Sequence, residues 1–223
     1  MISPLIANVY LDCFDQFMKE RRHRIVCYAD DILILSQSKS AAANALEQAS
    51  RYLEEELRLT VNLEKTHICH SSKGVKFSGV SIHTAFTRIQ RAKIKSFKAK
   101  VKAVTGRNTP VNLEKVIKDL NPLLRGFANY FRIANCTGEY QRLSSWLRRR
   151  LRAIQLKLWK KPKRLHRRLR QLGYVGEFDA IKMNSWKNAA CPLSHYALPS
   201  SYLHGELGLF DLGAVKTGIS VSV

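Results

Sequence analysis

Two short apolar runs separated by a polar tetrapeptide constrain this chain more tightly than anything else in it. Arg24-Ile25-Val26-Cys27 and Ile32-Leu33-Ile34-Leu35 flank Tyr28-Ala29-Asp30-Asp31. Runs of that length and β-branched character read as strands, and the acidic pair falls where a tight hairpin would turn. A hairpin tip holds two carboxylates close together and leaves them reachable from outside. A divalent cation relieves their repulsion, and an oxygen-only ligand set suits magnesium. Such a pair serves two-metal phosphoryl transfer, in which one ion activates the attacking hydroxyl and the other stabilises the leaving oxygen. Asp is equally a common turn residue. The tetrapeptide by itself leaves both readings open.

Around this hairpin the apolar period alternates between helix and strand. Ser3-Pro4 reads as an N-cap followed by proline at the first helical position. Leu5, Ile6, Val9, Cys13, Phe14 and Phe17 then recur at helical spacing to about Lys19. A second amphipathic helix is predicted over residues 40–57, with Leu46, Ala49, Leu53 and Leu57 on one stripe. Residues 60–63 and 66–69 read as short strand or loop pieces, and residues 76–82 with 86–90 as another hairpin. Helix, hairpin, helix, hairpin suits an open antiparallel sheet with helices on one face.

Beyond residue 90 the pattern becomes wholly helical. Lysines alternate with Ile94, Phe97, Val101 and Val104 over residues 92–104, and Asn108-Thr109-Pro110 interrupts them. A helix over residues 112–120 meets Asn121-Pro122, where a break or kink is expected before residues 123–133 continue. Residues 139–159 give the clearest helix, with Leu143, Leu147, Leu151, Ile154 and Leu158 as its apolar stripe and arginines over much of the remainder. Lys160-Lys161-Pro162 ends it, and residues 163–172 form a shorter helix stopped by Gly173. The organisation predicted is therefore α+β over 1–90, all-α over 91–172, and an extension over 173–223 without a legible pattern, ending in a frayed Val221-Ser222-Val223. Phe127, Tyr130 and Phe131 share a helix face and read as core. Trp146 and Trp159 stand between core packing and base stacking, with Trp159 the better stacking candidate.

Charge names the class of partner. The 223 residues carry a formal charge of +21, and 45% of them are hydrophobic, so the protein is globular and strongly basic. No acid stands between Glu64 and Glu114, nor between Glu139 and Glu177, while lysines and arginines accumulate in both stretches. Like charges at i, i+4 destabilise a helix unless a polyanion relieves them, so nucleic acid is the expected ligand, with an anionic membrane surface as competitor. No apolar run reaches the length of about 18 residues that a spanning helix needs. The N-terminus has no secretion pattern, so a cytoplasmic (bacterial) or organellar location is expected. Cys13, Cys27, Cys69, Cys136 and Cys191 are scattered and unpaired in sequence, which predicts reduced thiols and no structural zinc, His67-Ile68-Cys69-His70 included.

The residues at 2–12 (Ile2-Ser3-Pro4-Leu5-Ile6-Ala7-Asn8-Val9-Tyr10-Leu11-Asp12), Tyr28-Ala29-Asp30-Asp31 and Asn62-Leu63-Glu64-Lys65-Thr66, in that order, resemble the reverse transcriptases encoded by group II introns. Asn121-Pro122-Leu123-Leu124-Arg125-Gly126-Phe127-Ala128-Asn129-Tyr130-Phe131, followed by Leu147-Arg148-Arg149-Arg150-Leu151-Arg152, resembles the maturase-specific thumb of the same family. The likeness covers roughly residues 2–172. It implies part of a right-hand polymerase palm followed by a basic helical thumb. It implies magnesium at Asp30 and Asp31, nucleotide and primer contacts from Tyr28 and Ala29, a cation near the triphosphate from Lys65, and primer support from the segment containing Phe77 and Gly79. Alone, Lys65 reads as a solvated loop lysine. Intron RNA, an RNA template with its DNA primer, and deoxynucleoside triphosphates are the implied partners. RNA contacts are expected from Lys95, Lys98, Lys102, Arg125, Arg148, Arg149, Arg150, Arg152, Lys160, Lys161, Arg164, Arg167 and Arg168.

The sequence also departs from the family. The fingers, an earlier metal-binding aspartate and a glycine-rich turn would all precede Ile2, and Asp12 and Asp15 do not replace that aspartate. One hairpin supplies too few ligands for two cations, so polymerisation would need an upstream polypeptide to complete the palm. The alternative is a truncated maturase-like module that grips RNA without polymerising.

Overall fold

The computed structural model describes residues 3–29, 31–106, 108 and 111–218. The chain divides into two compact units, Met1–Phe86 and Thr87–Val223. In the first, α1 (Ser3–Glu20) leads into the antiparallel pair β1 (Arg24–Tyr28) and β2 (Asp31–Leu35), and α2 (Lys39–Arg51) runs on as a π-turn over Tyr52–Glu56. Ser38 starts α2 by accepting the Ala41 N–H on its hydroxyl at 3.1 Å, the capping that Ser is suited to. Ile25 faces Ile34 and Cys27 faces Ile32, and this side of the hairpin packs on Leu11, Phe14 and Met18 of α1 and Ala49 and Leu53 of the second helical segment. The other side is open: Val26, Tyr28 and Leu35 stand about half exposed. An antiparallel sheet with helices on one face is thus the architecture found.

The second hairpin differs from its sequence expectation. Its strands are β3 (Val75–Phe77) and β4 (Val80–Ile82), so the turn falls at Ser78-Gly79, inside the stretch expected to be one strand. Both turn residues have positive φ, 44° and 79°, as a two-residue hairpin loop with strand-matching twist requires, and glycine takes the second without strain. Residues 60–69 form loop and turn rather than strand.

The second unit opens with β5 (Thr87–Ile89) and contains α3 (Arg91–Val104), α4 (Leu113–Phe131), α5 (Thr137–Trp159), α6 (Pro162–Gln171) and α7 (Pro192–Ala197). Asn112 caps α4 through its side chain. No break occurs at Pro122: α4 is continuous through it. Leu120 and Leu124 on either side are fully buried, and the packing of that apolar stripe outweighs the lost backbone hydrogen bond. The neighbouring Asn121 amide donates to the Gly208 carbonyl and accepts from the Phe210 N–H, both at 2.9 Å. Phe97 of α3 stacks on Phe127 of α4 at 3.9 Å, and Tyr140 of α5 closes the same aromatic group.

Helix α5 is central, and it is buried on more than the expected stripe. Ser144, Arg152, Ala153 and Leu156 are covered along with Leu143, Leu147, Leu151 and Ile154. What covers the extra face is the extension. Met183, Ala189, Leu193, Ala197 and Leu198 join Ala153 and Leu156 of α5 and Leu165 and Leu169 of α6 in one apolar cluster. The terminal Val221-Ser222-Val223 lies outside the described residues. No helix among those described is long and apolar enough to cross a membrane.

Candidate catalytic hairpin and nucleic-acid interface

The first hairpin positions its tip by register. Tyr28 pairs with Asp31, so the strands are joined across two positions. Ala29 sits at φ 53°, in the left-handed region such loops use and that alanine occupies at a cost of about 1 kcal/mol. Directly opposed residues share a face, so Tyr28 and Asp31 lie on the open side of the sheet with Val26 and Leu33. Asp31 is exposed, and among the described residues no ion pair engages it. Asp30 lies outside the described residues. Behind the tip, Cys27 donates its thiol to Asp15 at 2.8 Å, and burial first, then that carboxylate, push the thiol up to about 12. Cys27 therefore stays a neutral packing residue at physiological pH.

Lys65, Phe77 and Gly79 belong to the same unit. Asn62 accepts the Lys65 N–H on its side chain at 3.2 Å and on its carbonyl at 3.1 Å, an Asx turn that puts Lys65 in an exposed loop. Phe77, half-buried, pairs with Val80 across the turn that contains Gly79.

In the second unit the expected RNA contacts separate by exposure. Lys95 and Lys102 on α3, Lys160 and Lys161 at the elbow after α5, and Arg164 and Arg167 on α6 are all exposed. Arg125 is exposed with its guanidinium 4.9 Å from the Phe210 ring centre. Arg149 is exposed and donates to the Trp186 carbonyl at 3.2 Å. Lys98 and Arg168 are half-buried over the rings of Trp146 and Tyr202. Arg150 is turned inward: Nε and Nη2 donate to the hydroxyl and carbonyl of Thr105, each at 2.7 Å, and the guanidinium lies between Trp146 and Trp186. Arg148 is half-buried, with Nη1 and Nη2 on Ser144 and Ser145.

Arg152 leaves the RNA-facing set. It is 4% exposed and donates Nε–H to the Leu198 carbonyl at 2.9 Å. Burial and the nearby charge of Arg148 draw it down to about 10, still protonated at neutral pH. Trp159 packs against the extension's core cluster, while Trp146 is half-buried beneath Arg150 and Lys98. His195 and His204, which approach Arg152 and Arg148, had no signal in the sequence beyond the i, i+4 spacing of Ser144, Arg148, Arg152 and Leu156, which marks a second covered stripe on α5.

Two family models match, in the order of the two units. Residues 1–82 match "Reverse transcriptase (RNA-dependent DNA polymerase)", and residues 94–173 match "Group II intron, maturase-specific domain". The chain belongs to the group II intron reverse transcriptase/maturase family. A relative, the "Putative COX1/OXI3 intron 2 protein" of Saccharomyces cerevisiae, is 36% identical over 63 residues, which is 28% of this chain. This chain spans 7% of the length of that curated relative. Reverse transcriptases of this family generally use a divalent metal. The first unit carries the reverse transcriptase match, and α3, α5 and α6 lie largely or wholly within the maturase match.

Proposed function

We propose that this chain acts in RNA-directed DNA synthesis and in binding the intron RNA for splicing. The observation that carries the first part is the hairpin tip, which presents Asp31 on an open sheet face without an ionic partner among the described residues. Oxygen donors in an exposed turn fit a hard cation, and Asp30 with Asp31 would hold magnesium. Bound there, magnesium supplies charge neutralisation at the attacking and leaving oxygens. Tyr28 and Ala29 flank the incoming nucleotide and the primer end, and Phe77 and Gly79 support the primer strand. Lys65 places a cation near the triphosphate, where charge develops on the leaving pyrophosphate. The chemistry is attack of a primer 3′ hydroxyl on the α-phosphate of a deoxynucleoside triphosphate.

RNA binding by the second unit is the alternative that stands without polymerisation. It is favoured by the exposed cations of α3, the Lys160-Lys161 elbow and α6 in a unit with its own continuous core. Contacts would go mostly to RNA shape and backbone. Magnesium-dependent primer extension on an RNA template, wild type beside Asp30→Ala and Asp31→Asn, separates the two. Extension by the wild type once an upstream polypeptide completes the palm, abolished by both substitutions, is the expected result. A folded wild type that binds RNA and extends nothing leaves only the alternative.

A further inference from the structure

Arg148 and Arg152 stand one turn apart on α5, and each guanidinium meets an imidazole from beyond the maturase match. Arg152 Nη1 lies 3.4 Å from His195 Nε2, and Arg148 Nη1 lies 3.5 Å from His204 Nε2. His204 Nδ1 is 2.9 Å from the Leu209 carbonyl, which can only accept, so Nδ1 holds the proton and Nε2 accepts from Arg148. A guanidinium can only donate, so His195 Nε2 accepts as well, and both rings are neutral in this arrangement. Among the described residues no carboxylate pairs with either guanidinium. Asp211 accepts the Gly213 N–H at 2.9 Å and the Ser144 hydroxyl at 3.4 Å, and Ser144 in turn accepts from Arg148 at 2.8 Å. Beside them a shallow cleft of about 290 Å³ is lined by Gln141, Ser144, Arg148, Asp211, Gly213 and Ala214.

A buried guanidinium normally has a carboxylate to offset its lost hydration. Here one buried and one half-buried arginine have two neutral rings instead, and the rings come from a different segment than the arginines. The uncompensated charge is therefore built into the junction between α5 and the extension. We propose that this junction is a phosphate site for a phosphodiester group of bound RNA. Arg148 and His195 touch the phosphate, while His204, which accepts from Arg148, and Arg152, which holds His195, act behind them as positioning residues. A guanidinium fork suits phosphate oxygens geometrically, and the neutral His195 ring, whose Nε2 accepts from Arg152, offers its Nδ1–H to the same oxygens. The inference rests on the second unit binding RNA and assigns one place where it does so.

The test uses the full chain, with inorganic phosphate and transfer RNA as probes. Phosphate at matched ionic strength is expected to raise the melting midpoint of the wild type above that in chloride, and Arg148→Gln to remove that rise. Arg148→Gln is also expected to weaken transfer RNA binding about tenfold and to lower the logarithmic salt slope by about one. Arg142→Gln, on an exposed arginine of the same helix, controls for loss of one charge. Arg148→Lys keeps the charge without the fork and serves if the glutamine variant does not fold; an intermediate loss is expected. Equal RNA binding by the Arg148 and Arg142 variants overturns the proposal and leaves RNA binding by the unit intact. Loss of the phosphate response without loss of RNA affinity marks a site for free phosphate and also overturns it. A wild type that binds no RNA ends both this inference and the RNA-binding function beneath it.

Discussion

The two units spend their apolar residues differently. In Met1–Phe86, one two-stranded hairpin packs on α1 and the second helical segment through a small cluster around Phe14 and Met18, while Leu5, Ile6, Val9, Val26, Tyr28 and Leu35 remain exposed. In Thr87–Val223, α5 is wrapped on several sides and leaves few large apolar groups in solvent. The hairpin's unpaired edges and open face are where the acidic tip must be reached, and a face kept open for a ligand contributes no core. Where the surface instead grips by charge, cations can sit outside while the helix beneath is fully packed. Stability and access compete in the first unit and coexist in the second.

The largest expected effect tests that contrast directly. Phe14 is fully buried at the centre of the first unit's cluster. Phe14→Ala removes about 3–5 kcal/mol, a large share of what a small domain has. Amide exchange over β1 and β2 should become unprotected while α5 stays protected. Leu147→Ala, equally buried in the second unit, costs about 2–5 kcal/mol and should lower the midpoint without abolishing cooperative unfolding. Protected hairpin amides in Phe14→Ala would show that the first unit draws its stability from elsewhere than this cluster.

A smaller effect probes how the second unit is latched. Arg150 ties the end of α3, through Thr105, to α5 while lying between Trp146 and Trp186. Arg150→Ala leaves the buried Thr105 hydroxyl and carbonyl without the Arg150 donors, a loss of about 1–3 kcal/mol. Arg167→Ala, on an exposed residue of α6, should change stability by less than about 0.5 kcal/mol. Urea denaturation of the pair measures the difference. Equal midpoints would mean that Arg150 is held by nothing that folding needs.

How much of this was legible in the sequence depended on whether a segment's burial partner was local. The first hairpin announced itself, because two apolar runs and a polar turn need only each other to form, and the pairing of Tyr28 with Asp31 follows from the loop length. The extra turn at Ser78-Gly79 was missed because Val75–Phe77 and Val80–Ile82 are too short to alternate visibly, whereas the expected pairing of residues 76–82 with 86–90 is found between β4 and β5. At Pro122 a break or kink was expected and the helix runs on unbroken, because the local cost of proline is visible in sequence and its remedy, burial of Leu120 and Leu124, is not. The extension beyond Gly173 showed no period because Met183, Leu193 and Leu198 are covered by α5 and α6, remote in sequence, and sit in turns or in the six-residue α7. For the same reason a row of arginines could not be sorted in advance: Arg152 differs from Arg149 only by which neighbours the extension brings.

The smallest effect separates stability from function at a single residue. Lys160 follows α5 with φ 62°, a left-handed conformation that glycine adopts freely and a lysine adopts at a cost. Lys160→Gly should therefore stabilise the second unit, by about 0.5–1 kcal/mol less the larger freedom glycine gives the unfolded chain. The same change removes one exposed cation from the elbow between α5 and α6, so RNA binding should weaken and its salt slope fall by about one. The two readouts must move in opposite directions if strain at this elbow is retained to hold a charge toward RNA. A variant that is more stable and binds RNA as before would make Lys160 a strained cap and nothing more, and would shift the gripping surface toward α3 and α6.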